Sequence, residues 1–262
     1  MRYRQLVVAI SAALTLTAPV APAMAAPSQT LTKVDFIEEV SAVVNNPDGT
    51  QTVTTWTPAR GVSAHALYEK LKAAGTRGLI APTATANGVI APAEVDCSIQ
   101  GAYAYLRLCG INRYHWGGTH PAVYFLDHTG AQWPVYESVV KWNESIAIDS
   151  GYRFSYSCPS SAHCVDVYNQ DYGDIGWVGQ ASYTHNGLTR TAAVVKLNDY
   201  TGAGYIPSGD AHWHRETSCH ELGHALGLAH NLFETSCLYH QHTANRSIYP
   251  GPGDWLMLDS IY

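Results

Sequence analysis

The sequence predicts an α+β fold, and three observations lead there. Runs rich in β-branched residues, bounded by Gly, Pro, Asn and Asp, recur along the chain and read as strands. Two stretches carry helical periodicity instead. Val135, Val139 and Trp142 fall at i, i+4 and i+7, and histidines repeat at i, i+4 from His220. Asn186-Gly187 separates two strand-like runs and is a strong hairpin signal.

The chain opens on Arg2 and Arg4, an apolar run from Leu6 to Val20 and the triplet Ala23-Met24-Ala25. This is the pattern of a secretory signal peptide, residues 1–25, cut after Ala25. No other segment approaches the roughly 18 unbroken apolar residues of a membrane span, so none is expected in the mature chain.

Residues 26–94 are expected to form an N-terminal region with a linker, either a pro-segment or a small accessory unit. Val34 to Val44 and Thr50 to Trp56 flank the turn Asn45-Asn46-Pro47-Asp48-Gly49 and read as a hairpin. Ser63 can cap a short helix through Ala74, with Leu67, Leu71 and Ala74 on one stripe and Gly75 ending it. Gly78 to Glu94 is rich in Ala, Pro, Thr and Gly and reads as linker.

Residues 95–262 are expected to form the main domain. Pro121 to Leu126 reads as its first core strand. Pro134 sits where a helix can begin, and the Val135, Val139, Trp142 stripe would pack on the sheet. Ile146 to Tyr156 and Cys164 to Tyr168 read as further strands. Asp171-Tyr172-Gly173-Asp174 is an acidic turn that could hold calcium. Gly179 to His185 and Leu188 to Leu197 are the arms of the Asn186-Gly187 hairpin.

Composition narrows the partners. A net charge of −6 with 14% charged residues argues against nucleic acid, which demands a basic face. Six cysteines in an exported chain predict three disulfides. Proximity favours Cys97–Cys109, Cys158–Cys164 and Cys219–Cys237, although sequence alone leaves other connectivities open. The last would tie the residue before His220 to a segment just beyond His230.

The most informative stretch runs His220-Glu221-Leu222-Gly223-His224-Ala225-Leu226-Gly227-Leu228-Ala229-His230. On a helix, His220 and His224 share a face and can grip one zinc ion. Glu221 beside them can take a proton from a metal-bound water. Gly227 can leave the helix sharply, and His230 can then swing back to the metal. Three nitrogens leave a fourth position open, as a catalytic site requires.

These eleven residues match the H-E-x-x-H-x-x-G-x-x-H signature of the metzincin zinc endopeptidases, and the chain resembles their secreted bacterial matrixin-like members. The resemblance implies a twisted, mostly parallel sheet with an antiparallel edge strand, a backing helix and a zinc-binding helix. It implies one catalytic Zn2+ on His220, His224 and His230, Glu221 as general base, and protein or peptide substrates cut outside the cell. It also implies that Gly179 to His185 is the edge along which substrate backbone pairs. The cysteine motif that closes some metzincin zymogens is absent before Cys97.

The family next carries a methionine turn, often S-C-M-Y, then P, D and a closing L-x-x-I-Y. Here the chain reads Ser236-Cys237-Leu238-Tyr239, then Pro250, Pro252, Asp254 and Leu258-Asp259-Ser260-Ile261-Tyr262. Leu238 stands where methionine belongs, and Met257 falls in the last helix. Such a swap in a packed site costs less than about 1.5 kcal/mol. His212 and His214 are expected as helix-cap or surface residues, His240 and His242 as surface residues, and the loop from Tyr239 to Asp254 as a wall of the specificity pocket. Two other classes stay open: a zinc-bearing secreted binding protein without turnover, and a cell-wall-directed metallohydrolase.

Overall fold

The computed structural model describes residues 39–82, 115–154, 157–231, 233–239 and 246–262. The first elements are β1 (Val40–Asn45) and β2 (Gln51–Pro58), an antiparallel hairpin with Val40 opposite Trp56 and Asn45 opposite Gln51. Its turn works as the Asn-Pro-Asp-Gly run implies. Asp48 Oδ1 accepts from the Thr50 amide at 3.0 Å, and Gly49 takes a φ of 85° that other residues resist. Then α1 (Ala64–Ala73) starts where Ser63 Oγ accepts from the Ala66 amide at 3.1 Å, and it buries Leu67 and Leu71. Ala74 caps the helix from an exposed position instead of joining that stripe. The start of the expected linker forms β3 (Leu79–Ile80) against β1.

Beyond residue 114 come β4 (His115–Trp116), β5 (Ala122–Asp127), α2 (Val135–Trp142), β6 (Asp149–Arg153), β7 (His163–Gln170), β8 (Trp177–Asn186), β9 (Thr189–Asn198), α3 (Ala211–Leu226) and α4 (Pro252–Ile261). The strands form one nine-stranded mixed sheet in the order β3-β1-β2-β8-β9-β7-β5-β6, with β4 beside β9. The pairs β5–β6, β5–β7, β7–β9 and β4–β9 are parallel; β8–β9, β2–β8, β1–β2 and β1–β3 are antiparallel. The sheet is therefore evenly mixed rather than mostly parallel. The N-terminal hairpin accounts for the difference, because β2 adds to β8 and takes the edge expected of Gly179–His185.

The main core lies between the sheet and the helices. Val123, Phe125, Val165, Val167, Val195 and Leu197 alternate inward along the strands and are fully or almost fully buried. Val135, Val139 and Trp142 of α2 meet them, as their spacing implies. Burying each such side chain contributes roughly 1.5–3 kcal/mol. Two tryptophan indoles fix α3 against this core. Trp142 Nε1 donates to the Cys219 carbonyl and Trp116 Nε1 to the Ala225 carbonyl, both at 3.0 Å.

Among the described residues two disulfides are formed, Cys158–Cys164 and Cys219–Cys237. The third expected pair, Cys97–Cys109, lies outside the described residues, as does the proposed signal peptide. Among the described residues, no helix is long and apolar enough to cross a membrane.

Candidate metal centre

The site is built on α3, which begins nine residues before His220. Asp210 Oδ1 caps it by accepting from the Trp213 amide at 3.2 Å. Every side chain from Glu216 to Leu226 is buried, so this helix is wrapped on all sides over its second half. His220 and His224 fall one turn apart on one face. The helix stops at Gly227, whose φ is 114°, and the Leu228 amide closes back on the Gly223 carbonyl at 3.1 Å. That reversal carries His230 back towards the other two imidazoles.

The three Nε2 atoms converge. His220 Nε2 lies 3.0 Å from His224 Nε2 and 2.9 Å from His230 Nε2. A tetrahedral ion with bonds of about 2.0–2.1 Å would hold such nitrogens roughly 3.3 Å apart, so the three are close to a metal-binding arrangement. The opposite ring atoms are engaged by the protein. His220 Nδ1 bonds to the Cys237 carbonyl at 2.7 Å and His224 Nδ1 to the Leu228 carbonyl at 2.9 Å. The Leu228 carbonyl can only accept, so His224 carries a proton on Nδ1; the Arg246 guanidinium, which can only donate, also contacts His220 Nδ1, and both rings turn Nε2 inward.

A fourth candidate ligand comes from the other end of the chain. Glu39, immediately before β1, places Oε1 2.7 Å from His224 Nε2, 2.8 Å from His230 Nε2 and 3.7 Å from His220 Nε2. Among the described residues, Glu39, His220, His224 and His230 form the group that could hold a metal ion. Burial opposes charge on Glu39, but the imidazoles of His224 and His230 prevail and hold its carboxyl well below the ordinary range. Three imidazoles and one carboxylate suit zinc and other first-row cations, so the residues present fit such an ion.

Glu221 lies on the same helix, fully buried. Its Oε1 accepts from Thr57 Oγ1 of β2 at 2.5 Å. Burial pushes its carboxyl up to about 8. Gly179 of β8 makes room for it, since a Cβ there would run into the Glu221 side chain.

The floor of the site is the turn at 236–238. The Cys219–Cys237 disulfide ties it to α3, and Leu238 packs beneath with no exposed surface. Asp254 of α4 holds the turn in place. Its carboxylate accepts from Ser236 Oγ at 2.6 Å, the Gly251 amide at 2.7 Å and Asn231 Nδ2 at 2.7 Å. Arg246, also buried, donates from Nε to the Cys237 carbonyl at 3.0 Å and pairs with Glu216 at 2.5 Å.

No family model matches this chain, and no curated protein matches it. Function is therefore read from the site's own chemistry.

The structure thus brings together His220, His224 and His230, with Glu221 beside them. His212 is exposed, but His214 is not a surface residue. It is buried edge-on against Trp133, and its Nδ1 bonds to the Asp210 carbonyl at 2.7 Å. His240 and His242 lie outside the described residues. In the acidic turn, Asp174 is engaged by Lys70 Nζ at 2.7 Å and by Tyr205 OH at 2.9 Å. Sequence reasoning missed Glu39, Thr57 and Arg246. No spacing rule links a residue before the first strand to a helix near the far end of the chain.

Proposed function

We propose that the chain is a secreted, zinc-dependent endopeptidase of the matrixin-like metzincin kind. In this reading residues 1–25 are a signal peptide, 26–94 an N-terminal region and 95–262 the catalytic domain. The observation that carries it is the convergence of the His220, His224 and His230 Nε2 atoms beside a buried Glu221. The strand run β6-β5-β7-β9 is parallel with β8 antiparallel to it, which supports the likeness. Two disulfides support an oxidising, extracellular setting.

Zinc, when bound, would supply Lewis acidity that activates a water and polarises a peptide carbonyl. His220, His224 and His230 would hold it through Nε2, with Cys237 and Leu228 carbonyls fixing two of the rings. Glu221 would accept the proton from the attacking water and pass it to the leaving amine. With β2 displaced from it, the β8 backbone would pair with an extended peptide, which holds any sequence without reading its side chains.

A second reading, a zinc-bearing binding protein without turnover, gains from Glu39. Four protein ligands make a closed set, the hallmark of structural zinc. The two readings part on turnover. The form recovered from culture medium should cleave unfolded casein, lose this with a chelator and regain it with zinc. Glu221→Gln should keep the metal and abolish cleavage. Bound zinc with no cleavage by the recovered form would favour the second reading.

A further inference from the structure

We propose that Arg190 is a positioning residue of the metal centre. It holds the last turn of α3 from β9, and so sets where His224 sits and how the chain reverses towards His230. This rests on the metal site of the reading above and holds whether or not that site turns over a substrate.

Strand alternation alone would aim Arg190 the other way. Ala193, Val195 and Leu197 point into the core, so Ala192, Val194 and Lys196 belong to the opposite face of β9. Then the register shifts: Thr184 pairs with Ala192, but His185 pairs with Arg190. Thr191 is the extra residue of a β-bulge, exposed and bonded through Oγ1 to the Thr184 carbonyl at 3.3 Å. The bulge re-aims Arg190 inward, where only 1% of its surface stays exposed. Its guanidinium lies over the buried Tyr183 ring, 3.8 Å from the centroid.

The other side of that guanidinium meets the end of the metal helix. A helix leaves its last carbonyls without partners of its own. Arg190 Nη1 donates to the His224 carbonyl at 2.8 Å and to the Ala225 carbonyl at 2.9 Å. Trp116, its neighbour across the parallel β4–β9 ladder, joins it on the Ala225 carbonyl. Tyr262 OH donates to the Leu226 carbonyl at 2.7 Å and accepts from the Trp116 amide. Three consecutive carbonyls are thus held from outside the helix, and the first belongs to a candidate metal ligand. The peptide dipoles also favour a cation at this end. Just beyond lies the reversal at 227–229, which carries His230 and supplies the Leu228 carbonyl on His224 Nδ1. A shift of the helix end therefore moves two of the three imidazoles relative to His220.

The test uses the full chain, loaded with Co2+ for its visible absorption and with Zn2+ for competition against a chromogenic chelator. Arg190→Met keeps an apolar stem and removes the donors. Tyr262→Phe removes one hydroxyl. Ile148→Ala is the stability control: Ile148 is buried and leads into β6, which β7 and β5 separate from β9. Arg190→Met should weaken zinc by about 10–100-fold and alter the cobalt absorption of the folded chain. Tyr262→Phe should change both readings in the same direction by less. Ile148→Ala should melt earlier yet keep wild-type zinc affinity and absorption. Earlier melting of Arg190→Met with both metal readings unchanged would overturn the inference, as would an equal loss of zinc in Ile148→Ala. Should Arg190→Met fail to fold, Tyr262→Phe decides, and wild-type values of both readings would overturn the inference. Failure of the wild-type chain to bind either ion would instead overturn the metal reading beneath it, and the inference with it.

Discussion

Thr57 Oγ1 donates a hydrogen bond to Glu221 Oε1 at 2.5 Å, joining residues 164 apart in sequence. Both groups are buried, and the bond brings the N-terminal hairpin onto the Glu221 carboxylate. Burial raises the Glu221 carboxyl from 4.5 to about 8. A carboxyl whose folded pKa is raised contributes stability that is complete below the unfolded value and is lost as pH rises through the folded one. Chelated, metal-free wild type should therefore lose stability between about pH 5 and pH 9, by an amount on the order of several kcal/mol at most. Glu221→Gln keeps an acceptor for Thr57 and removes the ionisation. Its melting temperature should exceed wild type at pH 9, with the gap closing towards pH 5. Parallel melting curves for the two chains at every pH would contradict this.

Gly223 faces the turn at 236–238 from within α3. A Cβ there would sit 2.7 Å from the Trp142 ring and 3.0 Å from Leu238, both fully buried. Gly223→Ala gains about 1 kcal/mol of helix propensity but overpacks this contact by about 1–3 kcal/mol. The net expectation is a lower denaturation midpoint and weaker zinc retention, because the clash pushes α3 away from Cys237. Leu238→Ala in the same chain should relieve the clash, so the two changes should not be additive in a double-mutant cycle. Additive effects would place the strain elsewhere.

The Cys219–Cys237 bridge spans 18 positions and ties α3 to the carbonyl that orients His220. Replacing both cysteines by serine should cost about 3 kcal/mol in denaturant unfolding, from the loop it closes. It should also weaken zinc, since outer-shell partners of a ligating histidine typically matter about 10–100-fold. Competition against a chromogenic chelator measures the second effect. Unchanged zinc affinity would show that Arg246 and the Asp254 network hold the turn unaided.

Asp254 is the anchor of that network, accepting from Ser236, Asn231 and Gly251. Asp254→Ala would leave these donors buried without an acceptor, at about 1–3 kcal/mol each where water cannot enter. The variant should unfold at lower denaturant and bind zinc less tightly. An unchanged unfolding midpoint would remove Asp254 from the support of the turn.

Much of this was legible in sequence where local rules decide. The i, i+4 spacing of His220 and His224, the left-handed Gly227 and the Ser63 cap are each determined within a few residues, and each is found in place. The hairpins at Asp48-Gly49 and Asn186-Gly187 are of the same kind. What was not legible depends on contacts far apart in sequence. Nothing about Glu39 or Thr57 in isolation marks them for α3, and β2 looked like half of an independent hairpin. Its pairing with β8 turned an expected edge strand into an interior one. His214 misled for a related reason: a histidine beside a helix start reads as surface until Trp133, from another element, covers it.

The most direct test of the central claim is X-ray absorption at the zinc edge on the stoichiometrically loaded chain. Convergence of His220, His224 and His230 requires three imidazole scatterers at about 2.0–2.1 Å with one oxygen at about 2.0–2.2 Å and no sulfur. Loss of the imidazole signal in His220→Ala and His224→Ala should follow. A shell containing sulfur, fewer than three imidazoles, or no retained zinc would contradict the account.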